Sequence, residues 1–164
     1  MTPRDAGQAP DERDIVVSRW FDAPRRQVWD AWTDPARIVL WWGPHGFTTT
    51  VHEMDVRPGG AWRHTMHGPD GVDYPNVSRF EEVDEPARIV YTNAGGPERG
   101  PTTRFTAAWT FEEKDGGTRL TMRLAFDSAA DRDIAIRLGA LEGGEQTLER
   151  LAGVLDSVPR GDPR

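Results

Sequence analysis

The chain contains no cysteine. That removes disulfides, thiol nucleophiles and thiolate metal ligands together, so any metal would have to rest on histidine and carboxylate. Lysine is nearly absent as well: nineteen of the 20 basic residues are arginine, and Lys114 is the exception. A GC-rich genome explains this bias more simply than a phosphate clamp does. Long apolar runs are missing. The longest, Ile38 to Trp42, is five residues, against the roughly 20 that a membrane helix needs. Serine is scarce, and Ser18, Ser78, Ser128 and Ser157 all lie outside any nucleophile-elbow context. There is no phosphate loop and no dinucleotide fingerprint. The first residues, Met1-Thr2-Pro3-Arg4-Asp5, have no apolar stretch behind their charge. The expectation is therefore a cytoplasmic protein without a signal peptide.

What is present is acidic and aromatic. Net charge is −7, from 20 basic against 27 acidic residues. That repels phosphate backbones, so neither nucleic acid nor a membrane is expected as a partner. The 164 residues suffice for one domain with a sizeable core. We place it at 13–157, between polar segments 1–12 and 158–164 that read as disordered tails. Seven tryptophans are many for this length. Their number suggests an aromatic-lined space.

The periodicity is that of an α+β domain. Ile15 to Phe21 is β-rich, and Asp22-Ala23-Pro24 opens a helix whose inner face carries Val28, Ala31 and Trp32. Thr33-Asp34-Pro35 opens a short second helix that should end near Trp42, stopped by Gly43-Pro44. The period then changes to two. Strands are expected at 47–56, 61–67, 73–83, 88–93, 102–113 and 118–127, with turn residues between them. In the last two, Phe105, Ala107, Trp109 and Phe111 face one side, as do Leu120, Met122, Leu124 and Phe126. Such a sheet has one greasy face that must be covered. Ile134, Leu138, Leu141, Leu148, Leu151 and Leu155 form an amphipathic stripe, which predicts a covering helix of about 25 residues. Gly139, Gly143 and Gly144 interrupt it. They imply near contact with the sheet, a kink, or space left for a guest; a break near residue 143 is the alternative.

The tryptophans either line a pocket or pack a core, since aromatic residues do both. Trp42 and Trp62 flank turns where a cavity mouth could open, Trp109 sits mid-strand, and Trp20, Trp29 and Trp32 read as structural. His52, His64 and His67, with Glu53 and Asp55, have the chemistry of a metal site. Strand alternation separates them. His64 shares a face with Trp62 and Met66, whereas His67 faces the other way. No metal and no cofactor is expected. Glu145 falls on the inner stripe of the covering helix, where a carboxylate is costly unless it pairs or works. A slight rotation of the helix would instead expose it.

Several motifs together resemble the START-like SRPBCC superfamily. The matching segments are Ala23-Pro24 with Val28-Trp29, Trp41-Trp42-Gly43-Pro44-His45-Gly46-Phe47, Asp55 through Arg63, Met66 through Gly71, and Gly117 through Thr121. The combination is similar to the branch named after the activator of the heat-shock chaperone ATPase, over roughly residues 13–156. That resemblance implies a helix-grip fold: about seven antiparallel strands curled around a long C-terminal helix, two short helices after the first strand, and a cavity between sheet and helix. It also implies a small apolar ligand such as a lipid, a polyketide or a related metabolite. Members of the branch usually carry a Gly-Trp pair in the last helix, and this chain has Gly143-Gly144. The pocket should therefore be larger or differently shaped.

The residues expected to meet a guest are Trp42, Trp62, His64, Met66, Tyr74, Tyr91, Trp109, Leu141 and Glu145, with no catalytic residue assigned. The leading expectation is a non-catalytic binder, monomeric or weakly dimeric, with a pocket open near the 93–101 loop. A cyclase-like enzyme would need an acid/base pair, and His64 with Glu145 or Tyr74 is the available one. Regulation of a heat-shock chaperone in a stress response rests on the family name alone.

Overall fold

The computed structural model describes residues 12–94 and 104–157. Its elements run β1 (Asp14–Phe21), α1 (Arg25–Thr33), α2 (Pro35–Ile38), β2 (Thr48–Met54), β3 (Ala61–His67), β4 (Asp73–Asp84), β5 (Arg88–Asn93), β6 (Phe105–Lys114), β7 (Gly117–Phe126), α3 (Ala129–Arg137) and α4 (Ala140–Asp156). The seven strands form one antiparallel sheet in the order β1-β7-β6-β5-β4-β3-β2. This is the helix-grip arrangement that the sequence pattern implies. The tails expected before residue 13 and after 157 lie almost entirely outside the described residues, as does most of the 93–101 loop.

Local chemistry accounts for the boundaries. Asp115-Gly116 closes the β6–β7 hairpin with φ of 53° and 78°, the pair of positive angles that lets a two-residue turn follow strand twist. Asp34 Oδ1 accepts from the Ala36 amide at 2.9 Å and so caps α2. That helix ends at Ile38, and a turn carries the chain on to Trp42.

The single helix expected at the C-terminus is two. Leu138 caps α3, and Gly139 adopts φ +91°, where glycine avoids the Cβ penalty. The break thus falls at 138–139, not near 143, and α4 spans 17 residues. Only α4 buries leucines: Leu148, Leu151 and Leu155 pack into the core, while α3 buries none.

The sheet's closed end is solid. Trp32, fully buried, lies 5.3 Å from Trp62, 5.7 Å from Trp42 and 5.7 Å from Trp109 between ring centroids. Trp41 Nε1 donates to the Ala31 carbonyl at 3.0 Å, which ties the turn after α2 to α1. Trp29 is buried as the sequence suggests, whereas Trp20 is 40% exposed. Between β1 and β7, Arg123 Nη1 meets Asp14 Oδ2 at 3.2 Å in full burial. Breaking one side of such a pair strands the other charge.

Candidate ligand-binding cavity

Sheet register decides which side chains share a wall. Trp62 pairs Ser78, Ser78 pairs Asn93, Asn93 pairs Phe105 and Phe105 pairs Phe126. One lateral row therefore crosses five strands on the inner face. The next row toward the open end is His64 with Asn76, then Met66 with Tyr74. Opposite them stand Ala140, Gly143, Gly144 and Thr147 of α4, and together these walls bound a cavity of about 540 Å³. That is the size of a site for a drug-sized molecule.

Indoles make one part of the lining. Trp42 meets Trp62 edge-on at 4.9 Å and Trp109 at 5.6 Å, and Trp62 stacks on the His64 ring at 4.3 Å. Edge-to-face contacts of this kind add to area burial because the ring edge is positive and the face negative. At the mouth, Leu138 lines the cavity yet is 69% exposed.

The rim is held to α4 by side chains that grip backbone. Arg150 Nη1 donates to the carbonyls of Gly43 at 2.9 Å and Pro44 at 3.2 Å. Gln146 Oε1 accepts from the His45 amide at 3.1 Å, and His45 Nε2 lies 3.0 Å from Glu149 Oε1. This explains Gly143. A Cβ there would sit 3.3 Å from Pro44 Cγ, so the close approach of turn and helix favours a residue without one. At Gly144 a Cβ would come within 2.9 Å of Met122 Cε and 3.3 Å of Val17 Cγ2. Near contact is thus the reason for both glycines.

A polar belt lies within this greasy lining. Asn93 Nδ2 donates to Asn76 Oδ1 at 3.1 Å and to Ser78 Oγ at 3.2 Å. Asn76 Nδ2 donates to the Tyr74 carbonyl at 2.9 Å. All three side chains are buried and all line the cavity. Burial raises the Tyr91 hydroxyl well above its ordinary pKa, a rise the neighbouring Trp109 indole opposes, so the phenol stays neutral.

Of the residues expected to meet a guest, Trp42, Trp62, His64, Met66, Tyr74, Tyr91 and Trp109 line the cavity together. Leu141 and Glu145 do not. Leu141 packs partly buried against the core, and Glu145 is exposed. The stripe of α4 runs Leu141, Gly144, Leu148, Leu151, Leu155, so the inward residue is Gly144 and its neighbour Glu145 turns out to solvent. The acid/base pair of His64 with Glu145 consequently does not assemble. His52 and His67 sit on the exposed face, bonded to Thr65 and to Thr50 and Asp73. Among the described residues no group of three or more His, Asp or Glu could hold a metal.

Asn76, Ser78 and Asn93 escaped the sequence reading. The signal was available, because Tyr74, Asn76, Ser78 and Phe80 share one parity of β4. Their polarity disguised an inward face as an outward one.

An antiparallel sheet closed by two helices over an indole-lined cavity defines a helix-grip domain of the START-like class. Residues 22–156 match the family described as Activator of Hsp90 ATPase homolog 1-like protein, and the chain belongs to that family. Solved structures agree. Protein Ms6760 of Mycobacterium smegmatis is 28% identical with a TM-score of 0.80, over 96% of this chain and 99% of that one. Protein NE0264 of Nitrosomonas europaea is 27% identical with a TM-score of 0.79, over 90% and 97%. An uncharacterized protein of Schizosaccharomyces pombe is 30% identical over 110 residues, 66% of this chain. The matched stretch spans only 28% of that curated relative's length. Among the described residues, no helix is long and apolar enough to cross a membrane.

Proposed function

We propose that the protein binds a small hydrophobic or aromatic molecule, such as a lipid, a polyketide or a similar metabolite, between its sheet and its last helix, without covalent catalysis. The cavity of about 540 Å³ floored by Trp42, Trp62 and Trp109 supports this reading. Filling it would remove apolar guest surface from water at roughly 25 cal/mol per Å². The scattered polar groups then orient rather than hold.

Native mass spectrometry of freshly purified protein should show a retained guest. Failing retention, titration with a panel of lipids and aromatic metabolites should quench tryptophan emission saturably. Consistent absence of both, across a broad panel, overturns the proposal. The cyclase-like alternative loses the pairing of His64 with Glu145, since Glu145 faces solvent, and is left with His64 and Tyr74. Regulation of a heat-shock chaperone is tested by its ATPase rate with and without this protein, and we expect no change.

A further inference from the structure

The hydrogen-bond bookkeeping of the polar belt leaves donors over. Ser78 Oγ accepts from Asn93, and its own O–H has no acceptor among the described residues. The Asn76 amide has two N–H groups, of which one goes to the Tyr74 carbonyl and the other to nothing described. Both side chains are more than nine-tenths buried, at 2% and 7% exposure, and both line the cavity. Buried polar groups with spare capacity are ordinarily served by water. A guest that displaces this water loses affinity unless it reproduces the bonds.

The sign of the spare capacity is informative. Both donors belong to side chains that share the Asn93 amide, and a carbonyl oxygen, with two in-plane lone pairs, can take two donors. Among the described residues, the lining also contains no Asp, Glu, Lys or Arg. A carboxylate or ammonium guest would therefore be desolvated without a full counter-charge, which is costly. The remaining wall, Trp42, Trp62, Trp109 and the phenylalanines beyond, favours flat apolar bodies.

We propose that the guest is an uncharged ketone bearing apolar rings, its carbonyl oxygen taking hydrogen bonds from Ser78 Oγ and Asn76 Nδ2 and its rings against the indoles. This rests on the cavity-binding reading above and narrows it.

Isothermal titration calorimetry with three matched probes separates the two claims. They are benzophenone, its carbonyl-free counterpart diphenylmethane, and the anionic 4-benzylbenzoate. Benzophenone should bind about tenfold or more tightly than either of the others, the gain expected from two neutral hydrogen bonds. Its carbonyl stretch should move to lower frequency on binding. Ser78→Ala and, separately, Asn76→Ala should each shrink the advantage several-fold, with near-ultraviolet circular dichroism showing an intact core. Equal binding of benzophenone and diphenylmethane leaves the cavity reading standing and overturns the ketone. Tightest binding by 4-benzylbenzoate overturns it too, as does a preference unchanged in both variants. If none of the three binds, the ketone is overturned, and the cavity reading is decided by the broad panel above.

Discussion

Arg150 of the last helix reaches across to the turn before β2 and donates Nη1 to the Gly43 carbonyl at 2.9 Å. The same guanidinium also meets Pro44 O at 3.2 Å, a carbonyl that already accepts from the Phe47 amide, so one side chain satisfies Gly43 and reinforces the turn. Partial burial lowers its pKa from the ordinary value, but an arginine stays charged at any working pH. A charged donor makes the stronger kind of hydrogen bond.

Arg150→Met keeps much of the side-chain volume and removes the clasp. Urea unfolding should show a loss of about 1–3 kcal/mol, the range for stranding one polar group, here the Gly43 carbonyl. Guest release should quicken in stopped-flow fluorescence, because Gly43 and Pro44 line the cavity. Unchanged stability would mean that water replaces the guanidinium at no cost.

Gly144 faces inward where its neighbour does not. Gly144→Ala should change stability by less than about 1 kcal/mol, since the gain in helix propensity offsets the shift its Cβ forces on the flexible end of Met122 and the tight contact with Val17 Cγ2. Gly144→Trp should abolish guest uptake by filling the space under α4. Calorimetry showing full affinity in a folded Trp variant would place the guest elsewhere.

Tyr91 makes stability fall at alkaline pH. Its folded pKa is raised above the ordinary 10.0, so the folded state holds this proton more tightly than the unfolded state. The contribution is complete below pH 10.0 and is lost as pH rises beyond it, at about 1.4 kcal/mol per pH unit. Chemical denaturation at pH 9, 10 and 11 should show a steeper fall in the wild type than in Tyr91→Phe. Parallel curves would show that the phenol ionises freely in the fold.

Glu145 supplies the contrasting case. Because it is exposed on α4, Glu145→Gln should move stability by no more than about 0.5 kcal/mol and leave guest affinity as it was. Loss of binding in that variant would return the carboxylate to the site and reopen an acid/base mechanism.

Architecture and wall were legible to different depths. The strands showed because alternation is local: Phe105, Ala107, Trp109 and Phe111 name their face without help. Trp62, His64 and Met66 were legible as one wall because they alternate along a single strand, whereas the aromatic residues alone fit a packed core as well as a cavity. Glu145 was misplaced because both its spacing and that of Gly144 fit a helical stripe from Leu141 to Leu148. One residue of phase is about 100° of rotation, and only packing against Val17 and Met122 chose between them.

Composition and pattern thus settled the chemistry of the interior: acidic outside, thiol-free, sheet under helix, indoles within. Whether those indoles would close on each other or stand apart depended on contacts between residues far separated in the chain. Asn93 joins Asn76 and Ser78 in one polar cluster only through strand register. The helix breaks at Gly139 because that backbone takes a left-handed turn, and several glycines offered the same option. Local periodicity is a property of neighbours, whereas a cavity is what remains when distant surfaces have met.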